Sequence, residues 1–268
     1  MKNFIFPFLL FVGLLSINMN AQSMNNENPF FTEYTTPFQT PPFDKIKLEH
    51  YLPAFEEGIK IKRAELDVII NNQDKPTFEN TIAAIEKSGK LLTKVSRVFF
   101  NISGSNGDDE TQKIAETITP ELSKLSNDIY LNEKLFQRIK SINDEKDKLN
   151  LTSEQLKVLD NYYTDFVRNG IGLDEEKKTR LKKINEELSM LSLKFGDNLR
   201  KETNATGLII NNKDDLVGLP DAVVQGASEL AKQNGLEGKW AFNLQRPSFT
   251  PFLQYSENRE LREKLYKA

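Results

Sequence analysis

The chain of 268 residues carries 36 basic and 39 acidic side chains, a formal net charge of -3, and 38% of its residues are hydrophobic. This balance is typical of a globular protein with a full core, and without a basic surplus to neutralise phosphates it argues against nucleic-acid binding. The sequence has no cysteine, which excludes disulfides, thiolate zinc sites, iron–sulfur clusters and cysteine nucleophiles.

Residues 1–21 have the layout of a secretory signal peptide. Lys2 gives a positive start, residues 4–17 are almost wholly apolar, and Ala21 is a small residue suited to a cleavage site. The apolar run is short for a membrane span, so an uncleaved anchor is the less favoured alternative. We therefore predict an exported protein, periplasmic or extracellular, with no membrane segment after cleavage.

Residues 22–43 show no helical period and are predicted to form an extended leader, pinned to the body by Phe30, Phe31, Phe38 and Phe43. Helical patterns then dominate residues 44–203. A helix capped by Thr77 is predicted to carry Ile82, Ile85, Leu92 and Phe99 on one face. The next helix is predicted to begin after Asp108, with a kink or break at Pro120. A shorter helix is then predicted to carry Leu135 and Ile139. A further helix begins at a capping box of Thr152 and Gln155 and ends at Asn169 and Gly170.

The longest predicted helix begins at Asp174 and continues to about Thr203. Its apolar residues recur at spacings of three and four: Leu181, Ile184, Leu188, Leu191, Phe195 and Leu199. So narrow a stripe can form a coiled-coil seam, but a long helix packed in a bundle is the more common structure. We predict the bundle.

The sequence pattern of residues 204–268 differs from that of the helical region before it. Short strands are predicted at 207–210 and 240–244, pairing antiparallel around a helix that begins near Gly218 and ends near Gly235. A last helix, capped by Ser256, runs to Ala268 without a stop signal, as expected of a truncation. The predicted fold is therefore mainly α: a multi-helix bundle (44–203) with a small hairpin-like β insertion near 207–244, in a segment that is only the start of an α+β region.

No residue qualifies as catalytic, substrate-binding or metal-binding. His50 is the only histidine, so the zinc motif H-E-x-x-H does not occur in the chain, and a structural role is the better interpretation of His50. The glycine loop 104–107 lacks the pattern of a phosphate cradle. Carboxylate pairs such as Glu56 with Glu57 are expected by chance in a helical protein, and Asp108 to Glu110 look like a helix start.

Several stretches together resemble the N-terminal region of the peptidyl-dipeptidase and oligopeptidase A family of zinc metallopeptidases, relatives of thimet oligopeptidase. They are, in chain order, PFDKI (42–46), EHYLPAF (49–55), PTFENT (76–81), LFQR (135–138), FVRNGIGL (166–173), GLP (218–220), PS (247–248) with PFL (251–253), and RELREKLYKA (259–268). Each motif alone is weak, whereas their order and spacing from about residue 28 onward are specific.

The resemblance implies a two-lobed helical fold around a deep channel that admits short, unfolded peptides. It implies a Zn²⁺ held by the two histidines of H-E-x-x-H and a downstream glutamate, and removal of C-terminal dipeptides or internal cleavage according to the branch. None of those ligands falls in this chain. We therefore expect an N-terminal lobe that is inactive alone, whose partner is the missing C-terminal catalytic half. The alternative is a non-catalytic exported helical module that binds peptides or a protein.

Overall fold

A computed structural model describes residues 28–205 and 207–268, and these residues are mainly helical, as predicted. The predicted signal peptide lies outside the described residues. The helices are α1 (Tyr51–Ile70), α2 (Ala84–Lys87), α3 (Lys90–Asn106), α4 (Asp109–Tyr130), α5 (Glu133–Asp144), α6 (Ser153–Arg168), α7 (Glu175–Ala205), α8 (Asp221–Gln233), α9 (Arg246–Tyr255) and α10 (Arg259–Lys267), and the strands are β1 (Gly207–Ile210) and β2 (Trp240–Asn243). The chain divides into two compact units between Met190 and Leu191, within α7, whereas the sequence placed the boundary after residue 203.

In the first unit, α1 packs along α3 through an aromatic cluster. The ring centroids of Tyr51 and Phe99 lie 5.0 Å apart, and those of Phe55 and Phe99 lie 5.5 Å apart at nearly a right angle. Such edge-to-face contacts are favourable because the positive ring edge meets the negative ring face. Phe30 of the leader joins this cluster, 5.4 Å from Tyr51, and is buried.

Fewer aromatic side chains of the leader pack against the helices than predicted. Phe31 is half-buried, but Phe38 is fully exposed and Phe43 is 53% exposed, so the predicted packing of these two rings is wrong. Phe38 stands in a short 3₁₀ turn, Pro37–Gln39, with a positive φ of 58°. The turn directs the ring to solvent, a result that hydrophobicity alone could not predict.

A second core of the first unit joins α1, α2, α5, α6 and the π-helical turn Phe78–Ala83 that precedes α2. Its buried side chains are Leu66, Ile69, Ile82, Ile85, Leu135, Ile139, Ile142, Leu159, Phe166 and Ile171. The predicted cap at Thr77 is confirmed, since its hydroxyl accepts from the Asn80 amide at 3.1 Å. The prediction of a single helix from Thr77 to Phe99 is wrong, because α2 ends before Ser88. The next residue, Gly89, takes a left-handed φ of 75° and separates α2 from α3.

The other predicted helix ends of this unit are confirmed. Thr152 and Gln155 form the reciprocal capping box, with amide-to-side-chain distances of 3.2 and 2.9 Å. α6 ends at Arg168, after which Gly170 turns with a φ of 88°. α4 runs unbroken through Pro120, so no break occurs there.

The second unit is built on the predicted antiparallel pair, with Leu208 opposite Phe242. α8 and α9 pack on β2, and α10 packs on β1. The core comprises Leu208, Ile210, Leu216, Ala227, Phe242, Phe252 and Leu265. α9 was not predicted from the sequence, although Pro247 in its first turn is a typical helix start. The cap of α10 is Asn258, whose side chain accepts from the Leu261 amide at 3.1 Å, and not Ser256 as predicted.

The long helix is present as predicted, and its N-terminal part contacts the first unit: Lys178 pairs with Glu133, and the Asn185 side chain donates to Asn127 Oδ1 at 2.7 Å. The apolar stripe further along the helix is not packed as predicted. Only Lys178 is buried among the residues from Glu175 to Asn204. Ile184, Leu188, Leu191, Phe195 and Leu199 are each between 41% and 71% exposed. Within the part of the chain that the structure describes, the apolar face of α7 therefore has no cover.

Candidate functional site

His50 has the structural role expected of it. It ends the 3₁₀ turn Leu48–His50 that leads into α1, and its Nδ1 accepts a hydrogen bond from the Lys47 amide at 3.0 Å. Its carbonyl oxygen accepts from the Asn28 side chain at 2.9 Å, which anchors the leader. The carboxylate of Glu49 lies 3.9 Å from Nε2 and is largely exposed. Because Nδ1 accepts a hydrogen bond from a backbone amide, the imidazole stabilises the 3₁₀ turn.

The described residues contain no group of three or more histidine, aspartate or glutamate side chains that could hold a metal ion. Two of the carboxylates singled out in the sequence have a structural partner in the described residues. Asp108 caps α4 by accepting from the Thr111 amide at 2.8 Å, and this bond lowers the pKa of Asp108. Glu57 pairs with Lys60 at 3.0 Å. The donor set of these residues therefore does not fit the zinc ion that the family resemblance implies.

Ser88 and Lys62, which no sequence motif marks, are in contact at the turn between α2 and α3. The Lys62 ammonium donates to Ser88 Oγ at 2.6 Å, and burial lowers the pKa of Lys62. Ser88 Oγ in turn donates to the Ile85 carbonyl at 2.6 Å. Because the hydroxyl proton is held by a carbonyl and the lysine acts as a donor, Ser88 is not activated as a nucleophile. The Lys62–Ser88 hydrogen bond therefore stabilises the turn between α2 and α3.

Arg138, the last residue of the LFQR motif, is the most connected buried ion of the first unit. Its guanidinium donates to the Asn72 carbonyl at 2.7 Å, to Asn80 Oδ1 at 3.0 Å and to Thr81 Oγ1 at 3.3 Å. Burial lowers the pKa of Arg138, and the Asp74 carboxylate opposes the shift. The motifs PTFENT and LFQR are thus joined in space, and their shared role is structural.

The GLP motif has a structural role in the second unit. Gly218 adopts a φ of 89°, and a side chain there would collide with the Tyr255 carbonyl oxygen at the end of α9. The neighbouring Val217 carbonyl accepts from the Glu257 amide at 3.0 Å. The motif therefore fixes the loop before α8 against the turn between α9 and α10.

One concave surface of the second unit has the size of a small-ligand site. It lies between α8 and β2, encloses about 430 Å³, and is lined mainly by small and apolar residues of α8, with Asn243, Gln245 and Ser248 at one side. Ser248 Oγ accepts from the Asn243 amide at 3.1 Å, so the hydroxyl already serves the backbone. No ionisable side chain lines this surface, so it can bind but has no acid or base with which to catalyse.

No helix among the described residues reaches the length and apolar character that a membrane crossing requires. This finding covers residues 28–205 and 207–268.

Comparison with known proteins shows that the chain is similar to two kinds of peptidase. No protein-family model matches it. The chain is 38% identical to dipeptidyl carboxypeptidase of Escherichia coli over 91% of its own length, and 39% identical to that of Salmonella typhimurium over 90%. It is 31% identical to oligopeptidase A of Haemophilus influenzae over 85%.

The chain spans about a third of the length of these relatives, between 33% and 36%. The resemblance carried by the motifs is confirmed: over about nine-tenths of its length, the chain is homologous to dipeptidyl carboxypeptidase and oligopeptidase A, and it corresponds to about a third of such a peptidase.

Proposed function

We propose that this chain is the N-terminal, non-catalytic part of a zinc metallopeptidase that hydrolyses short peptides by releasing C-terminal dipeptides. One observation carries the choice of reaction. Identity to the two dipeptidyl carboxypeptidases is 38% and 39%, against 31% and 28% for the oligopeptidases A of Haemophilus influenzae and Escherichia coli. The chain is therefore nearer to the branch named for dipeptide release than to the branch named for oligopeptide cleavage.

The residues of this chain contribute folding and shape to that function. Motif residues that can be followed in the structure, such as Thr77, Arg138 and Gly218, cap helices, satisfy buried carbonyls or shape turns. The sequence has a single histidine and therefore no H-E-x-x-H motif, which supports assigning the metal and the groups that act with it to the part of the peptidase that this chain does not match. We assign no catalytic step to this chain.

The test is a peptide-cleavage assay on two products, the 268-residue chain and the product of the reading frame continued beyond Ala268. We expect the longer product to shorten a short unstructured peptide by two residues at a time from its C-terminus, as read by mass spectrometry. Internal cleavage would move the assignment to the oligopeptidase branch. A frame that ends at Ala268 would contradict the peptidase proposal and favour a peptide- or protein-binding module.

We also propose export, from the charge of Lys2, the apolar residues 4–17 and the small residue Ala21. Cell fractionation with a C-terminal tag tests this, together with the mass of the mature N-terminus. Export predicts a periplasmic or extracellular product that lacks about 21 residues, the length of a typical signal peptide. A cytoplasmic product that retains Met1 or Lys2 would contradict export and leave the peptidase proposal untouched.

A further inference from the structure

The concave surface between α8 and β2, here called the α8–β2 groove, has an open strand edge as one of its walls. Its walls are one face of α8 and three consecutive residues of β2: Ala222, Gly226 and Leu230, with Ala241, Phe242 and Asn243. Successive residues of a strand turn their side chains to opposite faces, so a groove that touches three in a row runs along the strand edge. The main chain of β2 is therefore part of the groove wall.

The main-chain groups of Ala241 are directed away from β1. In an antiparallel pair, residues that exchange hydrogen bonds with the partner strand alternate with residues that do not. The Asn243 amide donates to Ser248 Oγ at 3.1 Å and so points away from its strand partner Gly207, and Ala241, two residues earlier, has the same orientation. Ala241 is only 6% exposed, yet its N–H and carbonyl have no hydrogen-bond partner among the described residues.

We propose that the α8–β2 groove binds a separate short peptide in an extended conformation, which adds as a strand to the open edge of β2. A residue of an extended strand presents its N–H and its carbonyl on the same side, and these match the carbonyl and the N–H of Ala241. Buried main-chain groups without partners are unfavourable, so a peptide gains an interaction that a hydrocarbon ligand cannot make. This binding belongs to the chain itself and does not depend on the proposed peptidase function.

The size and charge of the groove define the peptide. Its volume of about 430 Å³ is in the range of small-ligand sites. Three residues of an extended strand span about 10 Å, so the three residues of β2 in the wall match about three residues of peptide. No ionisable side chain lines the groove, and its α8 wall is small and apolar. The bound residues should therefore be uncharged, with side chains that favour the extended conformation.

The position of α8 favours a single peptide strand over a second copy of the chain. α8 lines the groove together with β2, and the edge of a second sheet would bring its own flanking helix into the same space. A single added strand needs a spacing of only about 4.8 Å from β2. Since Ala241 alone offers a free donor and a free acceptor, the peptide is held weakly and reversibly.

The test is an NMR titration of the 268-residue chain labelled with nitrogen-15 in its alanines. The probe is the peptide acetyl-Thr-Val-Thr-Val-Thr-amide, which is uncharged and favours the extended conformation. Gly226→Leu fills the groove; no atom lies within 4 Å of an added Cβ, and leucine suits a helix better than glycine, so the variant should fold. Gly196→Leu is the matched control, because Gly196 is a glycine of α7 with equally open surroundings outside the groove.

We expect the Ala241 amide resonance to shift saturably as the probe is added. The dissociation constant should rise at least tenfold in Gly226→Leu and stay unchanged in Gly196→Leu. A probe methylated at every amide nitrogen keeps the side chains but has no N–H to donate, and it should bind at least tenfold more weakly. The absence of a saturable shift, equal binding of the two probes, or native affinity in Gly226→Leu would each overturn the proposal.

Two further results would identify a different occupant and also overturn the proposal. An Ala241 resonance that moves with protein concentration when no probe is present would show that a second copy fills the groove. In the product of the reading frame continued beyond Ala268, an Ala241 amide that does not respond to the probe would show that the same polypeptide fills it. Peptide cleavage by the longer product is measured separately, so loss of the groove proposal leaves the peptidase proposal untouched.

Discussion

Replacing Arg138 with alanine tests whether the LFQR motif acts through the buried guanidinium. The two shorter bonds, to the Asn72 carbonyl at 2.7 Å and to Asn80 Oδ1 at 3.0 Å, are donated by a buried charged group to partly buried acceptors. At about 1.5 kcal/mol for each charge-assisted bond, the loss is about 3 kcal/mol. For a unit of this size that corresponds to a fall in Tm of roughly 6–12 °C.

Thermal unfolding followed by circular dichroism at the helical band gives the shift. Arg97→Ala is the matched control, because Arg97 is an exposed arginine on α3 and its loss should change the free energy of unfolding by less than about 0.5 kcal/mol. A helical circular-dichroism band before the transition that equals that of the native protein shows that the Arg138→Ala variant still folds. A shift for Arg138→Ala as small as that for Arg97→Ala would refute the structural role of the motif.

Three further predictions concern helix ends and one turn. Gly218→Ala should lower the free energy of unfolding by about 2–4 kcal/mol, because φ is 89° and the new methyl group meets the Tyr255 carbonyl oxygen; the unfolding transition of Trp240 measures it. Thr152→Ala should cost about 1 kcal/mol through loss of the α6 cap, measured by urea denaturation. Hydrogen bonds lower the pKa of Asp108 below its ordinary 3.8, so its capping contribution is present above that pH and lost as the pH falls through the folded value.

Each of these predictions has its own control. Gly235→Ala also replaces a glycine of positive φ in the second unit but meets no atom within 4 Å, so a loss equal to that of Gly218→Ala would refute the collision with Tyr255. Thr152→Ser keeps a capping hydroxyl and should restore most of the stability. For Asp108, the difference in Tm between the native protein and Asp108→Ala should shrink as the pH falls from near 6 to below 3.8. A difference that does not depend on pH would show that the carboxylate charge is not used.

Local signals explain the parts of the fold that could be predicted from the sequence. The caps at Thr77 and Thr152, the stop at Gly170 and the long helix after Asp174 all follow from interactions within a few residues. The end of the helix at Gly89 also has a local signal, namely the Ser-Gly pair. We did not predict it because the apolar spacing continues from Ile85 to Leu92 across this pair.

Features that depend on long-range packing could not be predicted in this way. Hydrophobicity predicted that Phe38 is covered, whereas its turn exposes it, and spacing predicted a packed α7 whose apolar face is open in the described residues. Arg138 did leave a signal, since it lies on the apolar face of α5 between Leu135 and Ile142. A charged residue at a core position implies buried partners, but not which ones.

Peptide cleavage measured with and without a zinc chelator tests the central claim, that this chain supplies structure and another part of the polypeptide supplies catalysis. We expect no cleavage by the purified 268-residue chain, with or without added zinc. We expect the product of the reading frame continued beyond Ala268 to release dipeptides, and we expect the chelator to abolish this activity and zinc to restore it. Chelator-sensitive cleavage by the 268-residue chain alone would contradict the account.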